Sequence, residues 1–223
     1  YRIPVLNIIG SEGNGIYGAA FNIYNIMLVL SSYGLPMAVS KLVSARFTKR
    51  RYKSAAKVLR CSLMVAVCTG GIAALLVFFG ASFIENVIYG GGLPGLAIPL
   101  RILAPTIFLV AILGVIRGFF QGQSTMIPTA VSQILEQIVN AIVSIAAGYV
   151  MMKAFASSPD VAAYGAAGST LGTAMGALTA VLFMGFLYAV YTPTFNRLKR
   201  KDRHTENQST GQICKIIIYT MIP

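Results

Sequence analysis

Three stretches of this chain, residues 13–40, 61–84 and 161–196, contain no charged side chain. A helix needs about 20 apolar residues to cross the hydrocarbon core of a bilayer, and each stretch is longer than that. A helix that is apolar all round must be buried in protein or in lipid, and several in one short chain point to lipid. Composition agrees: 56% of the residues are hydrophobic and 11% charged, where a soluble domain carries about one quarter charged. The sequence predicts an all-α fold, a polytopic transmembrane helical bundle.

Hydropathy places seven helices. The first covers roughly 1–10, the second 15–44, the third 58–84, the fourth 98–121, the fifth 127–152 and the sixth 164–190, and a seventh starts near 213. Residues 1–190 then form an N-terminal transmembrane lobe, 191–212 a basic loop between lobes, and 213–223 the start of helix seven. Both ends are apolar, Tyr1-Arg2-Ile3-Pro4 and Ile216 to Pro223. Each reads as cut inside a membrane helix, so the chain is expected to be a piece of a longer protein.

The net charge of +12 would suit a nucleic-acid partner, but its placement gives another reason for it. Of the basic residues, stretches 45–60 and 191–212 hold Arg46, Lys49, Arg50, Arg51, Lys53, Lys57, Arg60, Arg197, Lys199, Arg200, Lys201 and Arg203, while 11–14, 85–97 and 153–163 hold only Lys153. Basic loops stay in the cytoplasm, which orients the chain with 45–60 and 191–212 inside, near anionic membrane lipids. No nucleic-acid partner is expected. Cys61, Cys68 and Cys214 show no paired spacing and read as small hydrophobes.

Helix five carries Thr129, Gln133, Glu136, Asn140 and Ser144 at spacings of four, three, four and four, with Ser132 and Gln137 alongside. One face is therefore polar along its length. Lipid cannot solvate such a face, so it meets either a water-filled cavity or a polar seam with another helix. Helix two has a second stripe: Asn22, Asn25, Ser32, Ser40 and Lys41. Pro36 lies within it, where a bend is expected. Gly114, Gly118 and Gly122, and Gly168, Gly172 and Gly176, form four-residue tracks that let backbones approach closely.

Charges inside spans are costly and mark candidate sites: Arg2, Lys41, Arg101, Arg117 and Glu136. Counting outward from the turn at Gln123-Ser124-Thr125 puts Arg117 and Glu136 at similar depth, so they can pair, either structurally or in gating. Arg101 and Lys41 can snorkel to the interfaces. An enzyme would want paired carboxylates, a catalytic histidine or a metal cluster. The single histidine, His204, sits beside Arg203 in a basic loop, and Glu136 has no acidic companion in the spans. No nucleotide-binding loop is visible. The expectation is a transporter without a cofactor, not an enzyme.

Several collinear motifs carry a resemblance. They are Ile8-Ile9-Gly10-Ser11-Glu12-Gly13-Asn14-Gly15, Ser31-Ser32-Tyr33-Gly34-Leu35-Pro36, Leu103-Ala104-Pro105-Thr106, Arg117-Gly118-Phe119-Phe120-Gln121-Gly122 and Pro128-Thr129-Ala130-Val131-Ser132-Gln133. With them the chain resembles the polysaccharide-transport branch of the multidrug/oligosaccharidyl-lipid/polysaccharide exporter superfamily, the stage V sporulation protein B and MurJ-like group. The resemblance implies one six-helix lobe of a two-lobe transporter in the bacterial cytoplasmic membrane. It also implies a lipid-linked saccharide cargo such as lipid II, a missing C-terminal lobe as partner, and alternating access. Arg2 matches the cavity-facing cation of helix one in that family, while helix two lacks the arginine the family carries there. The expected cavity residues are Arg2, Asn22, Asn25, Ser32, Lys41, Arg117, Gln133, Glu136 and Asn140. A cation-coupled drug antiporter of the same superfamily is the alternative; it would place an acid in the first lobe's cavity, where this chain has four cations to one acid.

Overall fold

The computed structural model describes the backbone of residues 2–158, 160–202 and 210–221, and the side chains of these apart from 2, 3, 32 and 210. Every regular element among them is helical. In chain order they are α1 (Arg2–Ser32), α2 (Leu35–Thr48), α3 (Tyr52–Phe83), α4 (Ala97–Gln121), α5 (Ile127–Ala154), α6 (Val161–Lys201) and α7 (Thr210–Met221), with one π-helical turn, Ile84–Ile88, closing α3. Among the described residues, five helical stretches are long and apolar enough to span a membrane. Leu30, Leu76, Phe79, Phe83, Ile134, Leu182 and Phe186 are 60 to 76% exposed. Such a surface is a liability in water and is what hydrocarbon tails require. The chain is a multi-pass helical membrane protein.

The entry into the bundle differs from the expected loop at 11–14. The chain stays helical there and bends one residue earlier, at Gly10, with φ 70° and ψ −175°. A glycine reaches that backbone region without the steric cost a Cβ brings. The expected second helix is also not continuous. It breaks at Tyr33-Gly34, and Pro36 falls in the first turn of α2, where its missing N–H costs no hydrogen bond. The proline therefore starts a helix instead of bending one. A side chain at Gly34 would run into the Met221 carbonyl of α7, so the break is packed against that helix.

The basic segments are more helical than expected. α3 begins at Tyr52 and α6 runs on to Lys201, leaving Lys49–Arg51 as the basic turn. Hydropathy finds where lipid ends, whereas helices stop where their hydrogen bonding stops, and Lys and Arg are good helix formers. At 41 residues, α6 is about 60 Å long at 1.5 Å per residue. Its end is tied down by Asp202, whose Oδ2 accepts the Lys53 N–H at 2.9 Å and so caps α3. His204 and Arg203 lie outside the described residues.

α4 is the axis of the bundle. Its first half, with Leu100, Leu103 and Ile107, joins Ile16, Tyr24, Val77 and Ala166 in one apolar core. Its second half, with Leu113, Val115 and Phe119, joins Val39, Val58, Met184 and Ile217 in another. Both glycine tracks are contact surfaces. A Cβ on Gly118 would lie 2.6 Å from the Pro36 carbonyl oxygen, and one on Gly122 2.8 Å from that of Ser40, so α2 lies directly on α4. A Cβ on Gly168 would lie 2.5 Å from the Ala147 carbonyl oxygen, which brings α6 against α5 in the same way. The turn between α3 and α4 is fastened by Glu85, whose two oxygens accept N–H groups of Gly95 at 3.0 Å and Ala97 at 2.7 Å, at the start of α4. A carboxylate there meets both orphan donors and the positive end of the helix dipole.

Candidate substrate cavity

The α4–α5 hairpin builds the charged part of the site. Arg117 on α4 donates from Nη2 to Glu136 Oε2 at 2.7 Å, and from Nε to Ser132 Oγ at 2.9 Å. Ser132 Oγ in turn donates to the Thr129 carbonyl at 2.8 Å. The guanidinium is thus held in plane by two residues one turn apart on α5. The pair is not sealed: the side chains are 14 and 20% exposed. Nη1 of Arg117 makes no hydrogen bond among the described residues and remains accessible.

Beside this pair is a hollow of about 240 Å³. Leu28, Tyr33 and Pro36 from the α1–α2 joint form one wall; Val110, Gly114, Arg117 and Gln121 of α4, with Thr129 and Gln133 of α5, form the others. Thr129 Oγ1 is buried there without a hydrogen-bond partner among the described residues. Buried polar groups are normally satisfied, so this hydroxyl and the spare guanidinium nitrogen are acceptor-seeking groups around one cavity.

The polar face of α5 divides in two. Its first half, through Gln133, borders this hollow. Its second half is a sealed joint with α6. Ser144 Oγ lies 2.8 Å from both Asn140 Oδ1 and the Ser169 carbonyl oxygen, sharing one proton between them, and all three residues are buried. Asn140 therefore faces α6 and not the hollow. Cavity and seam are both present, at different depths.

The other expected residues are spread out. Asn22 and Asn25 line a second hollow of about 310 Å³ with Val5, Leu6, Asn14, Tyr17, Gly18 and Phe21. Val5 and Leu6 reach it because the chain folds over at Gly10. Lys41 is exposed on α2, with no hydrogen bond or ion pair among the described residues. Arg101 donates from Nη2 to Ser82 Oγ at 3.0 Å near the N-terminal end of α4. The side chains of Arg2 and Ser32 lie outside the described residues. Gln121, Thr129 and Tyr33 were not among the expected cavity residues. Gln121 stands four residues after Arg117, on the same helical face, and that spacing is the signal for it.

The family described as polysaccharide biosynthesis protein matches residues 1–211. Three relatives from Bacillus subtilis are similar. The lipid II flippase MurJ is 34% identical over 161 residues, covering 70% of this chain and 30% of its own. Stage V sporulation protein B is 32% identical over 184 residues, covering 82% and 34%. The uncharacterized membrane protein YabM is 28% identical over 223 residues, covering 99% and 39%. The chain thus spans roughly a third of the length of these relatives. No solved structure matches it significantly.

Proposed function

We propose that this chain, which belongs to the polysaccharide biosynthesis protein family, is the N-terminal lobe of a flippase for lipid-linked saccharides, with a polyprenyl diphosphate head group passing between it and a second lobe. The observation that carries the reading is Arg117: a fixed guanidinium with one nitrogen that makes no hydrogen bond among the described residues, beside a hollow that the α1–α2 joint closes on one side. A diphosphate offers negative charge and many acceptor oxygens. Guanidinium binds such groups by charge-assisted hydrogen bonds, strengthened where water is scarce. Thr129 and Gln133 add neutral donors to the same wall.

The α1–α2 break gives the mechanism a place to act. Tyr33 and Pro36 flank the joint and also wall the hollow, so a change of angle there changes its width. Rocking of two lobes about the cavity then exposes the head group to each side in turn. With the basic loops in the cytoplasm of a bacterial cell, an anionic head group moves outward down the membrane potential, about 2.3 kcal/mol per charge per 100 mV. The similarity to a protein named lipid II flippase supports the cargo class. A drug/cation antiporter would need a carboxylate ready to hold a cation, and Glu136 is already engaged by Arg117.

The test is transport by the full-length protein in proteoliposomes, with a fluorescent polyprenyl-diphosphate saccharide scored by its accessibility to an external quencher. Wild type moves the lipid and Arg117→Gln does not. Undiminished transport by the variant, or robust dye efflux with no lipid movement by the wild type, would reject the reading.

A further inference from the structure

A third hollow, of about 640 Å³, opens on the lipid-facing side of the bundle. Leu30 of α1, Met64 and Cys68 of α3, and Ile218 and Met221 of α7 line it. The Thr69 hydroxyl in its wall donates to the Val65 carbonyl at 2.9 Å and offers nothing further to water. Leu30, Met64 and Ile218 are 49 to 75% exposed, so this is an open groove and not a sealed cavity. Its size falls within the ~300–1,000 Å³ of pockets that hold small ligands. The groove backs on the α1–α2 joint: Leu28, Tyr33 and Pro36 face the Arg117 hollow, whereas Val29, Leu30 and Gly34 face this one. The two hollows share no lining residue, so the groove is separate from the head-group site.

Two cations stand at the basic end of the groove. Arg60 comes four residues before Met64 on α3 and shares its face. Lys215 follows Cys214, another lining residue, on α7. Both cations are exposed. α3 and α7 both start at the basic end, since Asp202 bonds Lys53 at the start of α3 and α7 begins at Thr210. Arg60 is the last charge before the charge-free stretch 61–84, and Lys215 the last before the apolar run 216–223. The pair therefore marks the depth at which hydrocarbon gives way to head groups.

We infer that this groove binds an anionic phospholipid of the surrounding bilayer, with acyl chain along α3 and α7 and phosphate at Arg60 and Lys215. Hydrocarbon gains little by leaving other lipid tails for an apolar wall, so the groove alone selects no lipid. The cations supply the selection, because a phosphate accepts charge-assisted hydrogen bonds from both. The shape supplies the rest: a soluble anion has no use for the groove, and an apolar helix has no use for the cations. The site does not depend on what the bundle transports.

The test uses the full-length protein with its cysteines replaced by alanine and Leu30→Cys carrying a bimane label at the mouth of the groove. It is reconstituted in phosphatidylcholine vesicles containing a minority of phosphatidylglycerol, with one lipid or the other brominated on its acyl chains to quench the label on contact. Brominated phosphatidylglycerol should quench well beyond its mole fraction. Arg60→Gln and Lys215→Gln should each cut that excess by up to about fivefold, equivalent to about 1 kcal/mol for a basic side chain near an anionic leaflet, while quenching by brominated phosphatidylcholine persists. Phenylalanine in place of alanine at Cys68 fills the groove, keeps both cations and should abolish the excess. The same change at Cys214, on the facing helix, carries the test if the first variant fails to fold. Quenching in proportion to mole fraction, or an excess unchanged in the double cation variant, overturns the site. An excess that survives filling also overturns it, because the cations then gather lipid without the groove. Absence of quenching by either lipid in the unfilled protein assigns the groove to another part of the chain and overturns it too.

Discussion

Arg117 and Glu136 meet at 2.7 Å across the α4–α5 hairpin, nineteen residues apart in sequence. The two halves of this pair are not equivalent. Removing the arginine leaves a mostly buried carboxylate without its counter-charge, whereas removing the carboxylate leaves the guanidinium still bonded to Ser132. Breaking a buried pair from one side costs about 3 kcal/mol or more, so Arg117→Gln should lower the melting temperature of the full-length protein in detergent. Glu136→Gln, which keeps a hydrogen-bond acceptor, should lower it less and leave diphosphate-lipid binding at wild-type strength or tighter. The exchanged pair Arg117→Glu/Glu136→Arg should regain stability without regaining transport. Recovery of both would make the pair structural only.

The contact between α5 and α6 depends on glycine at defined places. A Cβ on Gly168 would stand 2.5 Å from the Ala147 carbonyl oxygen, while one on Gly185 in the same helix would meet nothing within 4 Å. Gly168→Val should therefore separate the helices and destabilise by about 1–3 kcal/mol or more. Gly185→Ala should be neutral or stabilising by up to about 1 kcal/mol, because alanine is the better helix former. Thermal unfolding of the two variants decides this; similar melting temperatures would mean the α5–α6 approach is looser than described.

Much of this arrangement is legible in the sequence where one helix decides the matter. The spacing of Thr129, Gln133, Glu136, Asn140 and Ser144 marks a polar face on α5, and the tight turn at Gln123-Ser124-Thr125 brings Arg117 level with Glu136. What spacing does not report is the neighbour. Asn140 and Gln133 belong to one stripe, yet Asn140 is buried against α6 and Gln133 borders a hollow, because α6 covers only part of α5. Helix ends beyond the lipid are also hidden from hydropathy, which is why Tyr52–Lys57 and Tyr191–Lys201 appear as loops in sequence and as helix in the structure. The bonds of Glu85 to Gly95 and Ala97, and of Asp202 to Lys53, join separate elements. No local pattern announces them.

Those two carboxylates give a prediction that separates fold from transport. Each accepts backbone N–H groups at the start of a helix supplied by another part of the chain. Losing such a cap costs about 0.5–2 kcal/mol. Glu85→Ala and Asp202→Ala should each lower the melting temperature, while lipid binding at a temperature below unfolding stays unchanged. A binding defect with unaltered melting would instead give that carboxylate a part in handling cargo.

The basic turn Lys49–Arg51 and the basic end of α6 lie at one end of the bundle, joined by the Asp202–Lys53 bond, whereas Ser157 follows α5 at the other. Basic segments resist translocation, so the first pair is expected in the cytoplasm and Ser157 outside. With Cys61, Cys68 and Cys214 replaced by alanine in the full-length protein, single cysteines at Arg50, Lys199 and Ser157 report the orientation through a membrane-impermeant maleimide. Ser157→Cys should label in intact cells, and Arg50→Cys and Lys199→Cys only in inverted vesicles. The opposite pattern would turn the bundle over. The Arg117 hollow, bordered by Gln121 and Thr129 on either side of the α4–α5 turn, would then lie toward the outer face of the membrane.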